Sequence, residues 1–304
     1  MIRHILLTLI IMLGGANIWA FEKETFKELK TKTCHELNSS KNNSSWYQAS
    51  SPKAVVVIVH GLNNKPEIMG DDLTPGTLVS SLLKEHYSVL RVQLYGHGKD
   101  LKEMENTQKD LWLSSAYQQF CWAYEKKKEL PIILVGFSLG ALVFEELMNE
   151  KTATPVIFNK AILFAPAVSI STISRGIGWL NFFKKGSTNI PSVAPKEYRA
   201  HSGTSLNAYK ALFELEDDLE RSKFENNNIP TLTFINPNDE VVDYEKLKRT
   251  IEKFRLKRWR LIEVSTKEAK INPKYHHLII DQRALGEKEW LRVNDEMMKF
   301  IKAI

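Results

Sequence analysis

The stretch Pro131 to Met148, PIILVGFSLGALVFEELM, constrains the fold of this chain more than any other. Ile132 to Val135 is a continuous apolar run, the pattern of a strand buried on both faces. Ala141 to Met148 reads as a helix with Leu142, Val143, Leu147 and Met148 available for its buried side. Between them lies Gly136-Phe137-Ser138-Leu139-Gly140. A strand that turns straight into a helix holds the turning residue in a sparsely populated backbone conformation. Glycines two residues either side remove the Cβ atoms that would clash where strand and helix cross. The expectation is a serine hydroxyl on a sharp turn at the C-terminal edge of a sheet, with the next N–H at a helix N-terminus.

The rest of the sequence repeats the alternation. Ala54 to Val59 (AVVVIV) is a β-branched run that ends in His60-Gly61-Leu62-Asn63-Asn64. A helix is expected over Thr74 to Tyr87, a strand over Ser88 to Leu94, an amphipathic helix over Leu111 to Lys128 and a strand over Ala161 to Phe164. Strands resume at Thr231 to Ile235 and Arg260 to Val264, with helices at Tyr244 to Phe254 and Glu287 to Ile304. Strands alternating with helices imply an α/β fold with a mostly parallel sheet flanked by helices. Residues 168–228 carry no strong strand pattern, though Ser205 to Leu219 looks helical. This segment reads as a cap over the sheet edge where α/β proteins bind ligands. Its apolar residues, Ile173, Ile177, Trp179, Leu180, Phe182 and Phe183, suit either an acyl chain or simple packing.

The chain has 304 residues, 43% hydrophobic and 26% charged, enough for a sizeable core. Its net charge of +6 is scattered, the densest clusters being Lys126 to Lys128 and Arg255 to Arg260. With no RNP-like or zinc-finger pattern, nucleic acid is not the expected partner. Transient contact with an anionic membrane surface is left open. Arg3 and His4 precede an apolar stretch, Ile5 to Leu13, and small and polar residues follow up to Ala20. Residues 1–20 therefore read as a signal peptide, with cleavage after Ala20 or, second, Ala16. The apolar stretch is short for a membrane span, so an uncleaved membrane anchor is the lesser alternative. Residues 21–52 form an N-terminal arm, with a helix expected over Lys23 to Leu37 and then a loop. In an exported protein Cys34 and Cys121 could pair, or stay as two buried thiols.

A serine hydroxyl is a weak nucleophile at neutral pH and needs a base, itself oriented by an acid. Following the order serine, acid, base, Asp239 sits in the turn just past Thr231 to Ile235. Asp243, its competitor, is better placed to cap the helix at Tyr244. The base is expected in Tyr275-His276-His277-Leu278, with His276 the choice and His277 the alternate. A histidine pair can hold a metal, but no third ligand stands at the right spacing, so no metal or cofactor is expected. The expected oxyanion donors are the N–H of Leu139 and, from the loop after the first strand, the N–H of Leu62. His60 is read as structural.

From Lys53 to Ile304 the sequence resembles the α/β-hydrolase superfamily, in particular its monoacylglycerol lipase, lysophospholipase and carboxylesterase branch. The resemblance rests on HGLNN at His60, YGHG at Tyr95, GFSLG at Gly136, NDEVVD at Asn238 and YHHLIID at Tyr275. It implies a helical cap inserted after the sixth strand, and a histidine followed two residues on by an aliphatic and five on by an acid. Leu278 and Asp281 fit that for His276. The sequence departs from the branch around YGHG, where Gln93 and Lys99 stand in place of an acid and an arginine. The implied activity is that of an exported, periplasmic or secreted serine esterase acting through an acyl-enzyme on a small-molecule or lipid ester. A non-catalytic scaffold that binds a ligand or partner is the alternative.

Overall fold

The computed structural model describes residues 25–37, 44–98, 100–172, 189–192, 194–271 and 275–303. Seven strands form the central sheet: β1 (Ser45–Tyr47), β2 (Val55–Val59), β3 (Ser88–Val92), β4 (Ile132–Phe137), β5 (Lys160–Phe164), β8 (Thr231–Ile235) and β9 (Trp259–Glu263). Their order is β1-β3-β2-β4-β5-β8-β9, parallel throughout except for the antiparallel β1 at one edge. β6 (Asn189–Pro191) and β7 (Gly203–Ser205) pair separately.

The apolar runs are continuous because both faces of the sheet are covered. On β2, Val55, Val57 and Val59 join a core with Trp112 and Phe120 of α5 (Lys109–Lys126), Leu142 of α6 (Leu139–Leu147), Leu215 of α7 (Leu206–Arg221) and Leu247 of α8 (Tyr244–Lys253). Val56 and Ile58 point the other way, toward Leu78 and Leu82 of α3 (Leu78–Lys84) and Trp290, Val293 and Met297 of α10 (Glu287–Lys302). The period of two along the strand feeds both cores. Each fully buried aliphatic side chain contributes about 1.5–3 kcal/mol.

The N-terminal arm differs from the single helix its sequence suggests. It forms two one-turn helices, α1 (Phe26–Leu29) and α2 (Cys34–Leu37), broken at residues 30–33. The cause is local: Thr25 and Thr33 each bond the glutamate three residues on, Glu28 and Glu36, and each opens a new helix. Both helices pack on α5, where Cys34 and Cys121 form a disulfide. Ser45–Tyr47, expected as loop, is the edge strand β1. Residues 1–20, with Ala16 and Ala20, lie outside the described residues.

The insertion also differs in detail. It leaves the sheet after β5, the fifth strand in chain order among the described residues, and not after a sixth, because a single short strand precedes β2. It is not free of strands, since β6 and β7 pair within it. Short pieces of three residues, two of them with Pro191 and Gly203, carry too little β pattern to read from sequence. The apolar residues from Ile173 to Phe183 lie outside the described residues. An unanticipated helix, α4 (Leu101–Glu105), precedes α5, and a short α9 (Gln282–Leu285) precedes α10. With β2 to β5, β8 and β9 all parallel, the loops after β2, β4, β8 and β9 emerge at one edge of the sheet. Those loops carry Leu62, Ser138, Asp239 and His277.

Candidate active site

Ser138 links β4 to α6 with φ 50° and ψ −115°, a conformation few L-residues adopt. The surroundings hold it there. Its N–H donates to Phe164 O at 3.0 Å, and its carbonyl accepts from Leu142 N–H and Ala167 N–H. Glycine is required on both sides. A Cβ on Gly136 would lie 2.7 Å from Ala141 Cα, and one on Gly140 would lie 2.6 Å from the carbonyl oxygens of Val59 and His60. The strand and helix cross too closely for any other residue.

Asp239 stands in the turn after β8, its side chain fully buried. Its Oδ1 accepts the N–H groups of Val241 and Val242 at 2.8 and 2.9 Å, so the carboxylate is fixed before any partner reaches it. Asp243 caps α8 through Lys246 N–H at 2.8 Å. The imidazole beside Asp239 belongs to His277. Its Nδ1 lies 2.8 and 3.0 Å from the two carboxylate oxygens, and its Nε2 lies 2.9 Å from Ser138 Oγ. The tautomer follows: Nδ1–H donates to Asp239, leaving Nε2 to accept from the serine hydroxyl.

His276, the sequence choice, does not reach the serine. Its Nδ1 lies 2.7 Å from Thr266 Oγ1. Neighbouring side chains on a non-helical stretch diverge, so only one of the pair can face Ser138. The one that does packs on the Phe137 ring at 5.1 Å and leads directly into the buried Leu278-Ile279-Ile280. Asp281, which the spacing rule enlisted, turns away to accept from Tyr198 Oη at 2.9 Å and from Ala284 N–H at 2.8 Å.

Burial alone would lower the His277 pKa. The Asp239 carboxylate, its hydrogen bond and the nearby Glu240 outweigh this and raise it above the ordinary histidine value. Glu240 went unnoticed in the sequence. Its Oε2 accepts the backbone N–H groups of both His276 and His277, at 3.0 and 3.1 Å, and so orients the loop that carries the imidazole. The only sequence signal for it is an acid adjacent to Asp239.

The N–H groups of Leu62 and Leu139 donate to no protein acceptor among the described residues. Leu139 is the first residue of α6, where the helix dipole favours negative charge. The Leu62 N–H shares a peptide with the Gly61 carbonyl, which accepts from His60 Nδ1–H at 2.9 Å and Asn64 N–H at 3.2 Å. In a trans peptide the N–H points opposite the carbonyl, so holding Gly61 O one way aims Leu62 N–H the other. Burial pushes the His60 pKa down to about 4, so the ring is neutral, and its Nε2 accepts from Leu94 N–H at 3.2 Å. His60 is structural, as its position in the sequence suggests. The arrangement provides a hydroxyl, an imidazole and a carboxylate in one hydrogen-bonded line, which is what nucleophilic acyl chemistry requires.

Residues 50–197 match the sequence profile of a family described as serine aminopeptidase, S33. No curated protein matches the chain. Solved structures of similar fold include that of a metagenome-derived lipolytic enzyme (LipS and LipT), with TM-score 0.66 at 16% identity, covering 86% of this chain and 98% of the other. The monoacylglycerol lipase of Paleococcus ferrophilus has TM-score 0.60 at 17% identity, covering 86% and 100%. The monoglyceride lipase of Saccharomyces cerevisiae, a soluble variant with a substrate analogue, has TM-score 0.64 at 12% identity, covering 86% and 90%. The chain has the α/β-hydrolase fold, and over residues 50–197 it is similar to a family of serine hydrolases.

Proposed function

We propose that this protein is an exported carboxylic ester hydrolase that works through an acyl-enzyme on Ser138, with monoacylglycerol- or lysophospholipid-like esters as substrates. The observation that carries the reaction is the unbroken line from Ser138 Oγ through the His277 ring to Asp239. In the first half-reaction Ser138 Oγ attacks the ester carbonyl carbon while its proton passes to His277 Nε2. The imidazolium is held against the buried Asp239 carboxylate. Negative charge on the carbonyl oxygen meets the N–H groups of Leu62 and Leu139. The C–O bond to the leaving alcohol then breaks, and the alcohol takes the proton from Nε2. In the second half-reaction water, deprotonated by His277, attacks the acyl carbon and Ser138 leaves with the proton. No metal or cofactor enters these steps.

The lipid arm of the proposal is supported by the structural neighbours, which are described as lipolytic enzymes and monoglyceride lipases. Export is supported by the Cys34–Cys121 disulfide, a bond that persists in oxidising compartments. The matched family description favours a second reading, release of N-terminal residues from peptides.

The test is labelling with a fluorophosphonate probe followed by substrate profiling of the purified protein. Wild type should label and Ser138→Ala should not. Absence of labelling in the wild type sinks the enzyme reading in favour of a binding scaffold. Medium- and long-chain monoacyl esters should then be turned over faster than acetyl esters. Preference for aminoacyl arylamides over all esters would overturn the ester assignment.

A further inference from the structure

Leu62, the oxyanion donor after β2, is followed by Asn63, whose φ is +54°, in the left-handed region where asparagine is enriched among non-glycine residues. Asn63 is buried, and all of its polar atoms are engaged. Its N–H donates to His97 Nε2 at 3.0 Å, and its carbonyl accepts from Ala200 N–H at 2.8 Å. Oδ1 accepts from His201 N–H at 2.9 Å, while Nδ2 donates to the carbonyls of His201 and Gly203 at 3.1 and 3.3 Å.

Four of these five bonds go to the limb by which the insertion returns toward β7. The lacing continues past Asn63. Asn64 forms a β-bridge with Arg199, and both Asn64 Nδ2 and Lys65 N–H donate to the Tyr198 carbonyl, at 3.2 and 3.0 Å. The fifth bond comes from the turn after β3. His97 Nδ1–H donates to Tyr95 O at 2.9 Å, so Nε2 is free to accept. Burial, with His60 alongside, keeps that ring neutral.

An oxyanion donor is effective because its direction is set before the charge develops. Leu62 sits between two peptide planes. The one before it is fixed through Gly61 O, as described above, and the one after it ends in the Asn63 N–H. We propose that Asn63 is a positioning residue for the Leu62 N–H, and that the return limb of the insertion, residues 198–203, holds it in place. This rests on the acyl-enzyme reaction proposed above. It makes the insertion part of the oxyanion apparatus: its return limb and the donor loop move together or not at all. The same limb reaches the loop carrying the base, since Tyr198 Oη donates to Asp281, four residues beyond His277.

The experiment compares wild type with Asn63→Gly in steady-state hydrolysis of p-nitrophenyl esters, with inhibition by an aryl trifluoromethyl ketone as a second readout. Glycine tolerates φ near +54° without strain, so the variant keeps the backbone conformation and loses only the side-chain bonds. That ketone adds Ser138 Oγ to its carbonyl carbon and leaves an oxyanion where the ester's would be. The expected result is a fall in kcat of about 10- to 100-fold with KM within about threefold. The inhibition constant should rise by the factor by which kcat/KM falls, a correlation that a merely structural role would not produce. Should Asn63→Gly fail to fold, His97→Leu carries the test by removing the acceptor for Asn63 N–H. It should lower kcat similarly, and His97→Gln, which retains an acceptor there, should restore most of it. A folded Asn63→Gly with wild-type kcat, or a loss confined to its melting temperature, overturns the positioning role alone. A wild type that neither labels nor hydrolyses esters sinks the acyl-enzyme reading, and this one with it.

Discussion

Reducing the Cys34–Cys121 bond should cost stability without costing activity, and the size of the loss follows from where the bond sits. It closes a loop with a sequence separation of 87. In the chain-entropy account a loop of that length removes about 15 cal/mol/K from the unfolded ensemble, or about 4.6 kcal/mol at 25 °C. The native state should change little on reduction, because the arm has other attachments. Cys34 N–H donates to Thr154 Oγ1 at 2.9 Å, Ala153 N–H to Lys30 O at 2.7 Å, and Tyr117 Oη to Lys32 O at 3.0 Å. Phe26, Leu29 and Leu37 stay buried against α5. The loss therefore belongs to the unfolded chain. For 304 residues the unfolding entropy at the melting point is about 0.6 kcal/mol/K, so the melting temperature should drop by about 7 °C. The assay is equilibrium denaturation followed by circular dichroism and fluorescence, with and without reductant, at a temperature where esterase activity is measured in parallel. A loss below about 1 kcal/mol on reduction, or two titratable thiols in the unreduced denatured protein, would refute the reasoning. Loss of activity in step with reduction would show that the arm supports the site directly.

Three further outcomes are expected. His277→Ala should lower kcat by about 10⁴-fold or more, whereas His276→Ala, which loses a bond to Thr266, should stay within a fewfold; equal losses would show that the two rings exchange roles. In the proposed reaction the neutral form of His277 is the base, and its pKa is raised, so the acid limb of kcat/KM should have its midpoint above 6.5; Asp239→Asn should move it down, and a wild-type midpoint below 6.5 would contradict the electrostatics. Burial pushes the Glu145 carboxyl up to about 8 against an opposing bond from Asn227, so the folded state holds its proton where the unfolded chain releases it. Stability should fall as pH rises from about 4.5 through 8, by at most about 5 kcal/mol, and Glu145→Gln should be the more stable protein at pH 9 but not at pH 4; equal effects at both would place the cause elsewhere.

The sheet was legible wherever a strand is buried on both faces, because such a strand must be apolar at every position, as Val55 to Val59 is. Ser138 was legible for a different reason: two close backbone crossings demand glycine at 136 and 140, and that demand appears directly in the sequence. Asp239 could be placed because an acid in the turn after a buried strand lies at the sheet's C-terminal edge wherever that strand pairs. The choice between His276 and His277 could not be read in the same way. Both belong to the same local pattern, and what separates them is the direction in which the chain enters the buried Leu278 to Ile280, a tertiary fact. Spacing to an acid five residues on pointed to the wrong ring because Asp281 serves Tyr198 and the cap of α9. The break between α1 and α2 was written in the sequence, as Thr-x-x-Glu twice over, and was outweighed by the helical appearance of the whole segment. β1, β6 and β7 depend on what lies beside them, and three residues carry no signal of that.

The order of strands has a consequence for how such a chain becomes competent. From β4 onward each strand joins the same growing border of the sheet, β5 beside β4, β8 beside β5 and β9 beside β8, so none has to be wedged between two already paired. Vectorial emergence, N-terminus first, can therefore build the platform by simple accretion. Ser138 is in place early, while His277 arrives only with the loop that follows the final parallel strand. A half-finished polypeptide carries the hydroxyl without the imidazole that would stand beside it.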